Sequence, residues 1–536
     1  MAGTSPQRAW RAACPNCGAP VEFASAASAS AVCSFCRSTL LRDGDALRRI
    51  GISAELFDDH SPLQLGAAGR YQGLPFTLVG RLQMSYADGT WNEWHALFEG
   101  AEGERKSGWL SEDNGAYVFA FDAPVPSDAP ADASALAALQ AGQRVLADRR
   151  AWDVASVVAA QVLAAEGELP SPPKLGITRS IVDLRNSAGE VATLEEGSPS
   201  WSVGRSVRLA ELAMQGLREG VAEKTLASRA IECPSCGAAL TPTLASTKSI
   251  ACGQCHAVVD ISQGAGADLA HYAQNNSGAS GVEPQLALGS TGMLALGGPA
   301  RRWQVVGFLE RCELAGGEDD EQTFWREYLL YEREEGFAFL VDAQDGWSWV
   351  RPLTAAPQVR GDRATWQGQE YRKRYSYGAM VTWVQGEFYW RVRREERAHV
   401  TDYHGVGSGA QRRMSREQVG QEVTWSAGEA LNANVIANAF GLAPGQRAPL
   451  QRDVPVLATQ NYHFGGGSVQ RFFLIVFIAI VLMVVISQCS DDRCDDMRET
   501  FGASSAEYQQ CVRQAGTGSG TRGGSFGGWS GGGGHK

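Results

Sequence analysis

Cys14-Pro-Asn-Cys17-Gly, then Cys33-Ser-Phe-Cys36, and further on Cys233-Pro-Ser-Cys236-Gly, then Cys252-Gly-Gln-Cys255, are the runs whose reading decides the fold. Each cluster reads C-x2-C, fifteen residues, C-x2-C. A tetrahedral Zn2+ site takes four thiolates at about 2.3 Å, and two such knuckles supply two each. The spacer is long enough for a hairpin that brings the knuckles together. Both first knuckles end in glycine, which tolerates the turn that aims backbone amides at sulfur. The competing reading is two disulfides per cluster, which needs an oxidising compartment. No signal peptide precedes Cys14, so the reducing cytosol is expected instead. Four sulfur ligands leave no open position, so both zinc sites are expected to be structural. The ribbons they define are placed at 1–50 and 228–262.

Every cysteine of the second cluster stands at one constant offset from its counterpart in the first, and the repeat extends beyond the clusters. Thr77-Leu-Val-Gly80-Arg-Leu matches Gln304-Val-Val-Gly307-Phe-Leu. Trp91-Asn-Glu93-Trp94 matches Trp325-Arg-Glu327-Tyr328, and Asn114-Gly115 matches Asp345-Gly346. These intermediate pairs are shifted, as loop insertions would cause. Gly167-Glu168-Leu169 and Gly386-Glu387-Phe388 return to the cysteines' offset. Two copies of a ribbon followed by a module are therefore expected, with modules at 60–220 and 285–445 and a Gly/Ser/Asn-rich linker at 263–284.

Each module reads as β. Tyr117, Phe119 and Phe121 alternate with small or aliphatic residues. Phe337, Phe339 and Val341 share one face, and Trp347 and Trp349 another. Asn-Gly and Asp-Gly between such runs signal type I′ hairpins. Further strands are expected at Ala379–Val384 and Glu387–Arg393. Short strands separated by turns suggest a small antiparallel barrel or sandwich. The fold class is thus mainly β, with two zinc ribbons alternating with two such modules. Copy one carries what reads as extra material at 171–220, ending in a helix over Val207–Arg218 with an apolar stripe of Leu209, Leu212, Ala213 and Leu217.

Near the C-terminus, Phe472–Ile486 is an unbroken apolar run. Counting 469–488 gives enough length for one transmembrane helix, with Arg471 snorkelling to a headgroup. Arg447, Arg452 and Arg471 precede it, and Asp491, Asp492, Asp495 and Asp496 follow it among Arg493 and Arg498. That weak arginine bias agrees with reduced thiols on the N-terminal side. The expected topology is a single pass in a bacterial inner membrane, with residues 1–470 cytoplasmic and the Gly/Ser-rich tail 490–536 outside. Cys494 and Cys511 would then lie in an oxidising space, where they either pair as a disulfide or stand as two free thiols.

The Trp-x-Glu-Trp/Tyr segments, the Asn-Gly and Asp-Gly hairpins, and the Gly-Glu-Leu-Pro170 and Gly-Glu-Phe-Tyr389 motifs resemble the bacterial domain of unknown function 4178. So does the stretch from Met414 through Trp425-Ser-Ala-Gly-Glu429. The resemblance implies tandem copies, zinc ribbons and a C-terminal span, which members often carry. It implies no catalytic residues, because the family has no established activity. Its genes tend to sit beside those of polyamine-type synthases, which is association only.

Trp91, Glu93, Trp94, Trp325, Glu327 and Tyr328 place a carboxylate among aromatic rings. That is a reasonable receptor for an organic cation, a polyamine type among them. The bland reading is a barrel core with a hydrogen-bonded carboxylate. In an extended strand Trp91 and Glu93 point to one face and Trp94 to the other. His95 and His399 are the candidate general bases. His95 has no counterpart in copy two, and no nucleophile–base motif accompanies either. His256 is expected to be a bystander beside Cys255, and Cys312 a thiol without a role.

The 48 basic and 59 acidic residues leave a net charge of −11, which argues against nucleic-acid binding. Basic residues nevertheless concentrate in module two. Residues 357–420 hold twelve Arg/Lys against seven Asp/Glu, and an anionic lipid surface would attract them. The reading that follows is a membrane-tethered, non-catalytic interaction or adaptor protein with an unknown protein partner. The alternative is a small-ligand sensor or enzyme centred on Glu93 or Glu327.

Overall fold

The computed structural model describes residues 10–23, 30–43, 46–52, 61–87, 89–99, 105–113, 116–130, 132–218, 231–244, 247–261, 271–274, 283–314, 322–333, 335–393 and 395–451. The expected membrane span 469–488, Cys494, Cys511, the tail 490–536 and the turn Asn114-Gly115 lie outside the described residues. Among the described residues, no helix is long and apolar enough to cross a membrane.

Both modules are closed antiparallel barrels. The first contains β1 (Leu74–Tyr86), β2 (Gly89–Glu99), β3 (Arg105–Asp113), β4 (Ala116–Pro124), β5 (Arg150–Leu169), β6 (Arg179–Arg185), β7 (Glu190–Glu195) and β8 (Ser200–Val207). Pairing runs β1-β2-β3-β4-β8-β7-β6-β5 and returns to β1. The second contains β9 (Arg301–Glu313), β10 (Phe324–Glu332), β11 (Gly336–Ala343), β12 (Gly346–Leu353), β13 (Gln369–Phe388), β14 (Arg397–Gly405), β15 (Arg412–Val419) and β16 (Glu422–Leu431). It closes in the same order. An eight-stranded barrel has an interior just wide enough for side chains to fill. Leu309, Val341, Val350, Val381 and Val400 fill the second. The outer faces carry further cores under covering segments, such as Trp303, Phe308 and Tyr328 beneath Leu286 and Ile436.

Several expectations change. The material at 171–220 is not extra, because β6, β7 and β8 are the counterparts of β14, β15 and β16. No helix spans Val207–Arg218. Val207 ends a barrel strand, and only the short 3-10 turn Leu209–Leu212 follows it before Ala213 enters the left-handed region at φ 46°. The apolar stripe instead covers the barrel wall, with Leu212 buried among Phe76, Trp94 and Phe119. The strands expected at 379–384 and 387–393 belong in part to one 20-residue strand, β13, which runs through Gly386. The hairpin near Asp345 turns on Gln344-Asp345, and Gly346 is its first paired residue. Within the expected linker, His271–Tyr272 pairs with the second ribbon.

The long strands β5 and β13 each serve two sheets. Past the barrel, Gly167–Leu169 pairs with ribbon strand Ser30–Val32, and Glu387–Phe388 pairs with ribbon strand Ser249–Ala251. Each ribbon thereby seats a side chain in its barrel's nearer mouth. Val32 packs with Leu82 and Leu169, and Val258 with Phe388 and Trp390. The repeated Gly-Glu motif marks this departure. A Cβ on Gly80 would stand 1.9 Å from the Glu168 carbonyl oxygen, and one on Gly386 would stand 2.3 Å from that of Val306.

The barrels stack head to tail. The rim of barrel one opposite its ribbon meets the ribbon-side rim of barrel two. The Val157 amide donates to the Gln421 carbonyl (3.2 Å), and the Ala356 amide to that of Asn186 (3.4 Å).

Gly80→Ala forces a methyl into backbone that side-chain rotation cannot relieve. It is expected to destabilise the first unit by about 3 kcal/mol, read as a lowered denaturation midpoint with the second unit's transition unchanged.

Candidate metal centres and the buried carboxylate sets

The eight cysteines form two groups, Cys14, Cys17, Cys33, Cys36 and Cys233, Cys236, Cys252, Cys255. Within each, the four sulfurs lie within 4.8 Å of one another. Four sulfurs about 2.3 Å from one tetrahedral ion stand about 3.8 Å apart. Cys14 and Cys36 are 3.6 Å apart, and Cys17 and Cys33, Cys233 and Cys255, and Cys236 and Cys252 are each 3.7 Å apart. The knuckles explain why the sequence folds this way. The Gly18 and Gly237 amides donate to the carbonyls of Cys14 and Cys233 at 2.8 Å, with φ at 77° and 75°. In the second knuckles Arg37 and His256 hold the same left-handed position. The Asn16 and Gln254 amides point at the sulfurs of Cys14 and Cys252. Both clusters therefore fit a tetrahedral metal ion. His256 lies outside the sulfur set, with its ring tilted on Trp383. Cys312 is buried in β9, which pushes its thiol up to about 11.

The repeated Trp-x-Glu segments divide between the two faces of their strands. Trp91 and Glu93 face the interior of barrel one. The Trp91 indole donates to Glu93 Oε1 at 2.8 Å, and the Ser111 hydroxyl to Oε2 at 2.5 Å. In barrel two the Trp325 indole donates to Glu327 Oε1 at 2.7 Å. Trp94 and Tyr328 lie on the outer face under covering segments. Trp94 donates to Glu112 Oε2 (2.9 Å), and the Tyr328 hydroxyl accepts from the Gln285 amide (3.0 Å). The six residues thus do not meet around one cavity.

The structure adds partners to each interior set. In barrel two Arg311 is fully buried. It donates to Glu327 Oε1 at 3.3 Å and to both Glu417 oxygens at 3.2 and 2.8 Å, with its guanidinium 5.5 Å from the Trp325 ring centre. Burial pulls the guanidinium down, but Glu417 and Glu327 outweigh it and keep it protonated. Burial pushes Glu417 up to about 7 against the pull of Arg311. Beside them the Tyr377 hydroxyl donates to Asp402 Oδ2 at 2.9 Å. Barrel one has Met84 where barrel two has Arg311, each paired opposite its tryptophan. Its Asp183, counterpart of Asp402, accepts from the Thr193 hydroxyl at 2.9 Å. Asp183 and Asp402 stand at the same offset as the cysteines, and that was the available sequence signal. Arg311 and Glu417 are distant in sequence and match no repeat.

The Gly-Glu motif has a docking role. Glu387 accepts from the Thr243 amide and hydroxyl, the Leu244 amide and the Thr247 hydroxyl at 2.6–3.1 Å, all from ribbon two. The histidines are separate. His95 Nδ1 is 2.9 Å from the Glu168 carbonyl oxygen and Nε2 is 2.9 Å from the Ser107 hydroxyl. His399 Nε2 is 3.1 Å from the Ser376 hydroxyl. Burial lowers His95 and drives His399 down to about 3, helped by Arg416 and Lys373. Burial therefore favours the neutral form of both rings. A main-chain carbonyl, not a carboxylate, orients His95.

These features define a two-unit protein in which each unit is a four-cysteine ribbon docked on a closed β barrel. The chain belongs to the family described as Domain of unknown function (DUF4178), whose model matches residues 64–209 and 299–433, one barrel each. Neither the curated proteins nor the solved structures gave a significant match.

Removing one member of a buried ion group strands the others. Arg311→Met should destabilise barrel two by about 3–5 kcal/mol. Adding Glu327→Gln and Glu417→Gln should recover most of that loss, as read by chemical denaturation.

Proposed function

We propose that the chain is a membrane-tethered, non-catalytic interaction protein that displays two metal-stapled units on one cytoplasmic stalk, with Zn2+ at both four-cysteine centres. The observation that carries the non-catalytic part is the engagement of the duplicated carboxylates. Glu93 and Glu327 are buried and bonded within their own barrel interiors. The ligand-sensor or enzyme alternative centred on them loses support accordingly. All-sulfur, tetrahedral donor sets favour zinc in a structural role. Two similar units on one tether raise the effective concentration for a partner with repeated features.

The tether is the apolar stretch 469–488, and the path of the chain supports it. The Leu450 carbonyl accepts from the Trp347 indole at 3.1 Å. The described chain therefore ends beside the rim of barrel two that faces away from barrel one. Arg372, Arg374 and Arg412 are exposed at that rim, where anionic headgroups would attract them by about 1 kcal/mol each. The sequence that joins β9 to β10 carries Glu318, Asp319, Asp320 and Glu321, so lipid contact is assigned to those three arginines and not to the net charge of the barrel end.

Metal analysis of the purified full-length chain should give two zinc ions per chain, and Cys33→Ser should lower that to one; a ratio near zero in the parent protein would refute the assignment. Membranes washed with alkaline carbonate should retain the protein in the pellet, and its release into the supernatant would remove the tether.

A further inference from the structure

The two four-cysteine centres have the same chemistry but different surroundings. Ribbon one is joined to barrel one through Ser30–Val32 on Gly167–Leu169. Ribbon two is joined to barrel two in the same way and also reaches barrel one. Lys248 shortly precedes Cys252 in the chain. Its amide donates to the Phe388 carbonyl at 2.8 Å, and its carbonyl accepts from the Ile261 amide at 2.9 Å. Its stem is thereby fixed between barrel two and the ribbon sheet. Its ammonium stands 3.6 Å from Asp113 of barrel one, and the two side chains are only 12% and 3% exposed. A second bridge also passes through the ribbon. Asp260 holds Arg391 Nε at 2.6 Å, and Arg391 Nη1 donates to the Ala87 carbonyl of barrel one at 3.3 Å.

We propose that the metal centre at Cys233, Cys236, Cys252 and Cys255 is a clamp that fixes the two barrels relative to one another, whereas the centre at Cys14, Cys17, Cys33 and Cys36 staples only its own ribbon to barrel one. The core of ribbon two consists of Leu240, Ile250, Ala257, Val259 and Ile261 around Cys233 and Cys252. A core that small does not fold on burial alone, and metal binding supplies the remainder. Without the ion, the backbone that positions Lys248 and Asp260 loses its order. Asp113 then loses a cation from a site nearly closed to water, which disfavours the closed interface. At the offset that relates the two cysteine clusters, the copy-one counterpart of Lys248 is Ala29, which has no charge to offer a neighbouring barrel. Metal occupancy at one centre thus controls the spacing of the two units, and occupancy at the other does not. This inference is independent of the tether and of any partner.

The test is amide hydrogen exchange on the full chain in detergent, with metal content measured on each sample. The reporters are two amides that donate to main-chain carbonyls across the barrel interface, Val157 and Ala356. Cys252→Ser, with the second metal lost, should speed their exchange about tenfold or more, while the β10–β11 ladder of barrel two stays protected. Cys33→Ser should leave both reporters unchanged and release only Ser30–Val32. Lys248→Met keeps both metals and should open the same two reporters, so it decides the matter if Cys252→Ser also unfolds barrel two. Unchanged Val157 and Ala356 in Lys248→Met would overturn the clamp, as would equal opening of both reporters by Cys33→Ser.

Discussion

A strand can belong to two sheets only if something lets the second sheet approach it without a clash. Here that condition is met where glycine faces glycine. Gly80 lies opposite Gly167, and Gly307 opposite Gly386. Gly167 and Gly386 take positive φ values of 69° and 84°. The backbone pinch lets β5 and β13 leave the barrel wall and continue as an edge that a ribbon strand can pair with. Everything specific to this architecture follows from it. The ribbon docks by main-chain hydrogen bonds, Val32 or Val258 enters the barrel mouth, and an edge that would otherwise invite foreign strands is covered. A metal ion held by the four cysteines would then do more than hold a small ribbon together, because the ribbon is also the plug of its barrel.

Burying charge inside a barrel is costly unless the charges answer one another. Barrel two does this with one guanidinium shared by two carboxylates and stacked near Trp325. Barrel one, with Met84 at the same position, answers Glu93 with an indole and a hydroxyl. Duplication therefore preserved the carboxylate and the tryptophan, while their partners diverged. A ligand site would be expected to keep its carboxylate accessible in at least one copy. In both copies it is instead tied into the wall, and this geometry favours a role in fixing strand register and closure.

Much of this was legible in the sequence because it is local or repeated. Cysteine spacing alone gave both metal groups. The alternation of Trp91, Glu93 and Trp94 correctly assigned the faces of β2, and the constant offset exposed the duplication. What was not legible depends on closure. Arg311 meets Glu417 only because β9 and β15 line opposite parts of one barrel wall. The three strands after β5 read as extra material because they resemble their counterparts weakly except at Asp183 and Asp402. The apparent helix at Val207–Arg218 has a helical spacing of leucines. Its function is to cover Phe76 and Phe119 in an extended path that Ala213 turns, and tertiary burial overrode the local pattern.

Head-to-tail contacts that do not close tend to propagate into filaments, and two stacked barrels from one duplicated gene raise that hazard. The rims that meet within the chain differ in their side chains from a rim that stays free. The contact that joins the units includes Asp113 at one rim and Lys248 on the next ribbon. At the far rim of barrel two the hairpin position that corresponds to Asp113 is Ala343. That rim therefore lacks the carboxylate that Lys248 meets in barrel one. The far rim of barrel two is further occupied by the exit of the chain beside Trp347. Divergence at these few rim positions, with the barrel frames kept alike, is what makes the joined rim differ from the free one.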